Sequence, residues 1–338
     1  MQISDKIYVA GHAGLVGSAL VRRLRQAGYG NLLLRSHTEL DLTDAVAVQR
    51  FFSENCPRYV FLAAARVGGI VANATFPADF IFENLKIQTN VIHESWRSGV
   101  ERLLFLGSSC IYPRLAPQPL REESWLGGPL ESTNRSYAVA KIAGIEMIWA
   151  YNRQHQTRFL AAMPTSLYGP GDNYHPNHSH LIPAMIRKMH EAKISRCREV
   201  GIWGSGTPRR EFLHSEDVAD ACILLLSLPP EPFNQLAARD DVAPLVNIGC
   251  GKDLTVRELA ELVAEVVGVN PSLTFDSSKP DGTPRKLLDT GRLAQLGWKP
   301  RIHLREGLRQ TYADFCSRFE DREPAGPGSR PSVTQCAS

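Results

Sequence analysis

The chain has 338 residues, of which 43% are hydrophobic and 22% charged, as is ordinary for a globular protein. This length allows about two domains. The formal net charge is only +3, and no long basic run is present. Nucleic acid is therefore not expected as a partner, and a small anionic ligand held by a few cations is favoured.

No apolar run reaches the ~18 residues of a membrane span, and the N-terminus has no signal-peptide hydrophobic region. The seven cysteines are scattered and form no Cys-x-x-Cys pair, which disfavours disulfides and structural zinc. His175, His178 and His180 lie close in sequence but lack acidic or cysteine partners at ligand spacing, so no metal site is predicted. The expected location is the cytosol, without a membrane partner.

A glycine-rich turn between a strand and a helix is the first chemical motif. The apolar strand Lys6 to Ala10 leads into Gly11-His12-Ala13-Gly14-Leu15-Val16-Gly17, and an amphipathic helix follows from Leu15 to about Gln26. Glycines allow close backbone approach, and the free N–H groups and dipole of the helix attract a pyrophosphate. The Gly-x-x-Gly-x-x-Gly spacing differs from the commoner Gly-x-Gly-x-x-Gly. An ordinary turn is the alternative, but the strand–turn–helix context favours a dinucleotide cradle.

The end of the second strand, Leu32 to Leu34, is where such sheets recognise the adenosine ribose. An acid at this point favours NAD, whereas basic residues favour the 2′-phosphate of NADP. Arg35 and His37 follow the strand directly, and Asp41-Leu42 comes further along. This order favours NADP, with the alternative that Arg35 only lies along the sheet edge.

Strands and helices continue to alternate through the first half of the chain. Predicted after the second strand are a helix from about Asp44 to Glu54, a strand Tyr59 to Ala63, a helix Asp79 to Ser98, a strand Val100 to Leu106 and a strand Arg158 to Ala162. This pattern predicts a Rossmann-type, doubly wound parallel α/β sheet. Ligands bind at the carboxyl ends of such strands. Ala63-Ala64 and the turn Ser108 to Cys110 lie at two of these ends.

Tyr137 and Lys141 lie one turn apart on a helix expected to reach about Gln154. Their Cβ atoms are then ~5–6 Å apart on one face. An ammonium group at that distance favours the phenolate and lowers the tyrosine pKa from ~10 toward neutrality. A Tyr-x-x-x-Lys match alone is more often an ordinary amphipathic pair, so the rest of the chain decides its meaning.

The periodicity becomes less regular after residue 180. We predict a dinucleotide-binding domain over residues 1–180, a smaller α/β substrate lobe over 181–320 and a disordered tail over 321–338. A polar loop is predicted over 172–180. Predicted in the lobe are helices Leu181 to Lys193, Ser215 to Ser227, Thr255 to Val267 and Leu304 to Phe319, with loops over 203–211 and 279–286. Trp203 and Arg210 in one loop can stack on and pair with a nucleotide. The alternative is a core tryptophan and a solvated arginine.

Taken in chain order, the glycine turn, Ser108 and Tyr137-x-x-x-Lys141 resemble the extended short-chain dehydrogenase/reductase family, whose C-terminal lobe binds sugar nucleotides. Within that family, the resemblance is to enzymes that epimerise and reduce a GDP-4-keto-6-deoxymannose. It rests on the runs Gly107-Ser108-Ser109-Cys110-Ile111-Tyr112-Pro113, Asn177-His178-Ser179-His180, Trp203-Gly204-Ser205-Gly206-Thr207-Pro208 with Arg210-Glu211-Phe212, and Lys279-Pro280-Asp281-Gly282-Thr283-Pro284-Arg285-Lys286.

The resemblance implies NADP(H) as cofactor, GDP-4-keto-6-deoxy-D-mannose as substrate, and a homodimer through helices 79–98 and 137–154. It implies a reductase triad of Ser108, Tyr137 and Lys141 and an epimerase pair of Cys110 and His180. Implied substrate contacts are Lys188, Trp203, Arg210 and Asp281; implied further cofactor contacts are Leu106, Gly107, Ser109, Pro164, Thr165, Ser166, Leu167 and His180. Some members have arginines where this chain has Ala13 and His37, which weakens the preference for NADPH. Ser166 replaces an asparagine, with an effect that the sequence leaves open.

The implied reactions all pass through one carbonyl group. A 4-keto group acidifies the protons at C3 and C5, and inversion needs a base on one face and an acid on the other. A nearby cation would hold Cys110 as thiolate, and His180 would return the proton from the opposite face. Ser108 and Tyr137 would donate to the enolate oxygen, and Tyr137 would protonate it during reduction. Left open are a GDP- or UDP-sugar 4-epimerase or 4,6-dehydratase, an inactive NADP-sensing protein, and Cys110 as a small buried hydrophobe.

Overall fold

The computed structural model describes residues 1–176 and 178–320. In chain order the strands are β1 Ile7–Ala10, β2 Leu32–Leu33, β3 Tyr59–Leu62, β4 Arg102–Leu106, β5 Phe159–Pro164, β6 Ser166–Tyr168, β7 Glu199–Trp203, β8 Arg209–His214, β9 Leu245–Ile248, β10 Asp253–Thr255, β11 Ser272–Asp276 and β12 Arg285–Lys286. The helices are α1 Leu15–Gln26, α2 Ala45–Asn55, α3 Ile70–Thr75, α4 Pro77–Arg97, α5 Arg135–His155, α6 Leu181–Ser195, α7 Ser215–Ser227, α8 Pro230–Ala237, α9 Val256–Val267, α10 Gly291–Gln295 and α11 Leu304–Glu320.

A six-stranded sheet of order β2-β1-β3-β4-β5-β9 forms the frame, and every pairing along it is parallel. Strands β1, β3, β4 and β5 are buried along their whole length, as parallel strands covered on both faces must be. The strand order reverses beside β1, because β2 lies on one side and β3 on the other. The predicted doubly wound α/β fold is confirmed, and its ligand crevice lies where β1 and β3 end.

Two apolar cores cover the faces of this sheet. On one face, α1 and α7 bury side chains such as Leu24 and Leu225. On the other face, α2, α4 and α5 bury Phe52, Val91 and Ile148. The helices thus fix the ends of the strands from both sides, which holds the crevice open in one geometry.

The second lobe is built from short strands and three helices. Strand β8 pairs with β10 and β12 and also with β6, while β7 pairs with β11. Helices α6, α9 and α11 pack over a third core that includes Ile186, Leu259 and Phe315. The regions 203–211 and 279–286 were expected to be loops, but they contain part of β8, and β12. Strands of two or three partly polar residues are set by pairing across the lobe and leave little periodicity in the sequence.

The two sheets do not follow a chain boundary at residue 180. Strand β9 completes the first sheet beside β5, although it follows β8 of the second lobe. Helix α7 also returns to the first sheet, where Arg22 Nε lies 2.6 Å from Glu216 Oε1 and Arg23 Nη2 donates to Asp220 Oδ2 at 2.9 Å. The chain therefore crosses between the two parts more than once.

Across residues 1–176 and 178–320, no helix is both long and apolar enough to cross a bilayer. The six cysteines of that part of the chain are free thiols. The tail over 321–338, predicted to be disordered, lies outside the described residues.

Candidate active site

The glycine turn packs against the end of β3 more closely than any side chain would permit. Gly11 has φ +81°, and a Cβ there would lie 2.7 Å from the Ala64 Cα. A Cβ on Gly17 would lie 2.0 Å from the Gly11 carbonyl oxygen. Gly14 begins α1 without a side-chain cap, so the first amides of the helix are open to a ligand. The His12 Nδ1 atom is also buried without a partner. These features fit the pyrophosphate of a dinucleotide.

The residues after β2 include a packed arginine and an exposed histidine. The Arg35 guanidinium lies 5.7 Å from the centroid of the Phe51 ring, so it rests on the sheet edge. His37 is exposed, with Nε2 3.8 Å from Asp41 Oδ1. Asp41 Oδ1 accepts hydrogen bonds from both the backbone amide and the hydroxyl of Thr43 at 2.8 Å. The hydrogen bond from the amide is the main cause of the lowered pKa of Asp41. Asp41 therefore holds a turn, and the exposed His37 and the outer N–H groups of Arg35 lie where a ribose or its phosphate would bind.

Ser108, Tyr137 and Lys141 come together at the end of β4, as the sequence predicts. Ser108 begins a 3₁₀ turn over Ser109–Ile111 and hydrogen-bonds the Tyr137 hydroxyl. Lys141 is 2% exposed. Its Nζ donates to the Leu106 carbonyl at 2.7 Å and lies 5.7 Å from the centroid of the Tyr137 ring. The two helix residues therefore share one face, beside the serine.

The pKa of Tyr137 moves opposite to the direction expected from helical spacing. Burial raises it, the nearby Cys110 raises it further, and the Ser108 hydrogen bond only partly opposes this. Burial also lowers the pKa of Lys141 to about 7, so the amine carries only part of its charge at neutral pH. The amine bonds a backbone carbonyl rather than the phenol. Tyr137 consequently stays protonated at neutral pH, as a proton donor to a carbonyl oxygen must.

Cys110 lies between an amide and an ammonium group. Asn134 Nδ2 donates to its Sγ at 3.1 Å, and Lys286 Nζ lies 3.5 Å from the same sulfur. Arg210 also lies near Cys110. Burial lowers the pKa of Arg210, and its electrostatic interactions with Asp281 and Cys110 act in the opposite direction. The sequence predicted a cation beside Cys110 without identifying it. Lys286 is the last residue of the distinctive run Lys279–Lys286. Its place in that run is the only feature of the sequence that could have identified it as the cation beside Cys110.

His180 begins α6 as its N-terminal cap. His180 is exposed to solvent, although the protein atoms packed around its imidazole lower the pKa of the ring. The loop before it contacts the segment after β3, where the Gly69 amide donates to the His178 carbonyl at 3.3 Å. Within the described residues no hydrogen bond joins His180 to Cys110, so their pairing across a substrate stays a prediction.

Trp203 presents an aromatic face to solvent at the end of β7. It is 50% exposed, so the core alternative is wrong. Lys188 Nζ lies 5.9 Å and Lys279 Nζ 5.6 Å from the centroid of its ring. Burial lowers the pKa of Lys188, whose Nζ donates to the Gly201 carbonyl at 2.7 Å. An open indole between two ammonium groups suits a planar base that carries phosphates. Lys279 was not among the predicted site residues.

Asp281 has a role in the structure that the sequence did not suggest. Its Oδ1 accepts from the Ser205 amide at 2.7 Å, and its Oδ2 accepts from the Ser205 hydroxyl at 2.9 Å. Arg210 Nη2 donates to the Asp281 carbonyl at 3.1 Å. The carboxylate therefore holds the turn after Trp203. A direct contact of Asp281 with substrate stays a prediction.

The remaining predicted cofactor contacts lie around the crevice. Thr165 links the two sheets, because its hydroxyl donates to the Glu211 carbonyl at 3.0 Å and its amide to the Ile248 carbonyl at 3.0 Å. At or just after the ends of β1, β3, β4 and β5, or in the adjoining first turn of α1, lie Ala13, Leu15, Val16, Ala63, Leu106, Gly107, Ser109, Pro164, Ser166 and Leu167. Leu42 lies shortly before α2 and is buried in the second core. The contacts of these residues with a bound cofactor stay predictions.

The fold and this constellation define a class of nucleotide-dependent enzymes, and the sequence comparisons agree. The pattern of the NAD dependent epimerase/dehydratase family matches residues 7–234. The chain belongs to this family, the extended short-chain dehydrogenase/reductases.

Close relatives carry one name. The chain is 56% identical over 309 residues to GDP-L-fucose synthase 1 of Arabidopsis thaliana, covering 91% of the chain and 92% of the relative. It is 52% identical over 311 residues to the GDP-L-fucose synthase of Escherichia coli strain K12, covering 92% and 96%. A similar solved structure is MlghC, the GDP-mannoheptose C4 reductase of Campylobacter jejuni with NADP bound. It has 39% identity, a TM-score of 0.83 and coverage of 94% of this chain and 99% of that one.

Proposed function

We propose that the protein converts GDP-4-keto-6-deoxy-D-mannose to GDP-L-fucose by inverting C3 and C5 and then reducing C4 with NADPH. The observation that carries this proposal is the position of Cys110, two residues after Ser108 and 3.5 Å from Lys286 Nζ. Reduction needs only Ser108, Tyr137 and Lys141. Inversion needs a base, and a thiol beside an ammonium group supplies one. The names of the two synthase relatives support the same reaction.

Epimerisation begins with proton removal next to the 4-keto group. Lys286 and Asn134 stabilise negative charge on the Cys110 sulfur, which takes the proton from C3 or C5. Negative charge then develops on the C4 oxygen, where Ser108 and the protonated Tyr137 donate hydrogen bonds. His180 returns a proton to the opposite face. Its lowered pKa makes the imidazolium a stronger acid than a free histidine.

Reduction uses the same polarised carbonyl. The NADPH cofactor, when bound over the strand ends, supplies the hydride to C4. Its pyrophosphate would lie at the glycine turn, and its nicotinamide ribose would lie within reach of Lys141. Burial raises the pKa of Tyr137, so the phenol holds its proton until the alkoxide forms at C4. Ser108 keeps the phenol in place by a hydrogen bond.

The substrate nucleotide would lie on the second lobe. Trp203 stacks with the guanine, and Lys188, Lys279 and Arg210 neutralise the diphosphate. This arrangement follows from an exposed indole whose ring centroid lies 5.9 Å and 5.6 Å from the two lysine amines.

The decisive experiment mixes the purified protein with GDP-4-keto-6-deoxymannose and NADPH and follows both product and cofactor. We expect one NADPH oxidised for each GDP-L-fucose formed. A 4-epimerase or 4,6-dehydratase would retain its cofactor through the cycle, and an NADP-sensing protein would bind NADPH without turnover. Either result would contradict the proposal.

We further propose a homodimer through α4 and α5, in the cytosol. Phe82 on α4 is 62% exposed and Val139 on α5 is 38% exposed, although both are apolar. The free thiols of the described residues suit a reducing compartment. Light scattering should give twice the mass of the chain, and Phe82→Glu should give a monomer. A wild-type monomer at micromolar concentration would contradict the dimer.

A further inference from the structure

Glu211 is a buried carboxylate on β8 whose partners are backbone amides. The residue is 0% exposed. Its Oε1 accepts from the amides of Cys250 and Gly251 at 2.6 Å each, and its Oε2 accepts from the Leu288 amide at 3.0 Å. A buried carboxylate is expensive unless its lone pairs are satisfied, and three N–H donors satisfy this one. The positions of the three backbone amides therefore depend on both carboxylate oxygens of Glu211 acting as acceptors.

These three amides belong to different parts of the molecule. Cys250 and Gly251 follow β9, the edge strand of the six-stranded sheet. Leu288 follows β12, which carries Lys286. The Glu211 carbonyl also accepts from the Thr165 hydroxyl at 3.0 Å, at the end of β5. One residue thus links the dinucleotide sheet to the short strand that carries the ammonium group beside Cys110.

We propose that Glu211 is a positioning residue for epimerisation: its carboxylate fixes the segment 285–288 so that Lys286 Nζ lies against Cys110 Sγ. The catalytic meaning of this inference rests on the proposed function, in which Cys110 is the base. Glu211 does not touch the sulfur itself. It acts through Leu288, two residues after Lys286.

The segment is held from two sides. Strand β12 has only two residues, which pair with β8 as Arg285 with Arg209 and Lys286 with Arg210. On the other side, the Leu287 amide donates to Gln118 Oε1 at 2.9 Å. Removing the Glu211 contact should therefore shift the segment without releasing it. The amine and the sulfur are 3.5 Å apart, so a shift of the segment weakens their interaction in part.

The substitution Glu211→Gln isolates this contact because it keeps the size of the side chain. Glutamine has one acceptor oxygen, and its NH₂ group cannot accept a hydrogen bond. If the oxygen stays with Cys250 and Gly251, the NH₂ group faces the Leu288 N–H, and the segment must move away. The matched control is Asp217→Asn. Asp217 is 2% exposed and accepts from the amides of Arg301 and Ile302 at 3.0 Å each, on the far side of α7.

The test measures the rate of Cys110 alkylation by iodoacetamide against pH on the full chain, with the modified peptide quantified by mass spectrometry. We expect the profile of Lys286→Gln to move about one pH unit higher than wild type, which is about a tenfold slower reaction at pH 7. The profile of Glu211→Gln should move in the same direction by less, to about a threefold slower reaction, because the segment shifts but keeps its ammonium group. Asp217→Asn should follow the wild-type profile. An unshifted Glu211→Gln profile would overturn the proposal, as would an equal shift in Asp217→Asn.

Solvent-deuterium exchange at C3 and C5 of the GDP-4-keto sugar separates this inference from the proposed function. If the wild-type protein exchanges these protons but the Glu211→Gln alkylation profile is unshifted, the positioning role is wrong and the proposed function is retained. No wild-type exchange, with the alkylation profile shifted as expected, would sink the function and leave the positioning role.

A second variant covers the case in which Glu211→Gln does not fold. Glu211→Asp keeps the charge but is one methylene shorter, so it should give a smaller shift in the same direction. If neither variant folds while Asp217→Asn does, Glu211 is a determinant of folding rather than of position, and the proposal is wrong.

Discussion

The six-stranded sheet and the smaller sheet around β8 hold their site residues by different means. In the first, the glycine turn and the Tyr137 helix are ends or faces of long regular elements, and buried parallel strands fix them. In the second, partly exposed strands carry the site, and side chains bonded to backbone groups hold it. Glu211, Asp281 and Lys188 are three such side chains. The cofactor half is therefore positioned by the fold, and the substrate half by individual hydrogen bonds.

The largest expected effect tests whether the two halves perform separable chemistry. Cys110→Ser should slow epimerisation by about 10²–10⁴-fold, because a serine hydroxyl is a far weaker base. NADPH affinity should stay unchanged, since the glycine turn does not depend on this side chain. Solvent-deuterium incorporation at C3 and C5 measures the first effect, and fluorescence titration with NADPH measures the second. Exchange at the wild-type rate would exclude Cys110 as the base.

Tyr137→Phe should produce the converse result. Reduction should fall by about 10²–10⁴-fold because the proton donor to the C4 oxygen is lost. Exchange at C3 and C5 should persist at a reduced rate, since Cys110 remains as the base and Ser108 still donates to the C4 oxygen, although the Tyr137 donor is lost. The measurement is NADPH oxidation at 340 nm beside deuterium exchange in the same sample. Normal NADPH oxidation with substrate would show that another group is the acid.

Trp203→Ala tests the substrate half alone. Loss of base stacking costs about 1–3 kcal/mol, which is roughly a 5- to 150-fold rise in substrate KM. The KM for NADPH should not change, because Trp203 lies on β7, away from the glycine turn. Steady-state kinetics with each reactant varied in turn separates the two. A matched control is Trp149→Ala on α5, which should leave the substrate KM unchanged.

The smallest expected effect is the contribution of Lys141 to the pH dependence of the free energy of unfolding. Its pKa is lowered to about 7 in the folded chain, whereas an unfolded lysine titrates near 10.4. Between these values the unfolded chain binds one more proton, so the free energy of unfolding should rise with pH by about 1 kcal/mol per unit. Lys141→Met should lack this slope. Urea denaturation of the cofactor-free wild type and of Lys141→Met from pH 7.5 to 9.5 measures the free energy of unfolding of each. The same pH slope in both proteins would contradict the lowered pKa of Lys141.

The sequence predicted the regular half of the molecule well. Helix α1 begins and ends at the expected residues, Leu15 and Gln26, because its apolar face follows a clear 3.6-residue period. Strands β6 and β12 were not predicted. They have three and two residues, and cross-lobe pairing rather than pattern creates them. Local sequence carries too little information for such elements.

The site shows the same division. Helical spacing correctly placed Tyr137 and Lys141 on one face, but it gave the wrong direction for the pKa of the tyrosine. Burial is a tertiary property, and it outweighed the local ion pair. The contact between Cys110 and Lys286 joins residues 176 positions apart. This contact depends on how the second lobe packs against the first, which cannot be predicted from spacing along the chain.

The position of β9 has a consequence for synthesis on the ribosome. The edge strand Leu245–Ile248 and the covering helix α7 are translated after β6, α6, β7 and β8 of the second lobe. Until they emerge, β5 lacks its outer neighbour, and apolar residues of α1 such as Leu20 and Leu24 lack the helix that buries them. A fragment that ends at residue 180 should therefore expose apolar surface and aggregate. The cofactor half cannot complete its fold before the first elements of the substrate half, β6 to β8, have been made.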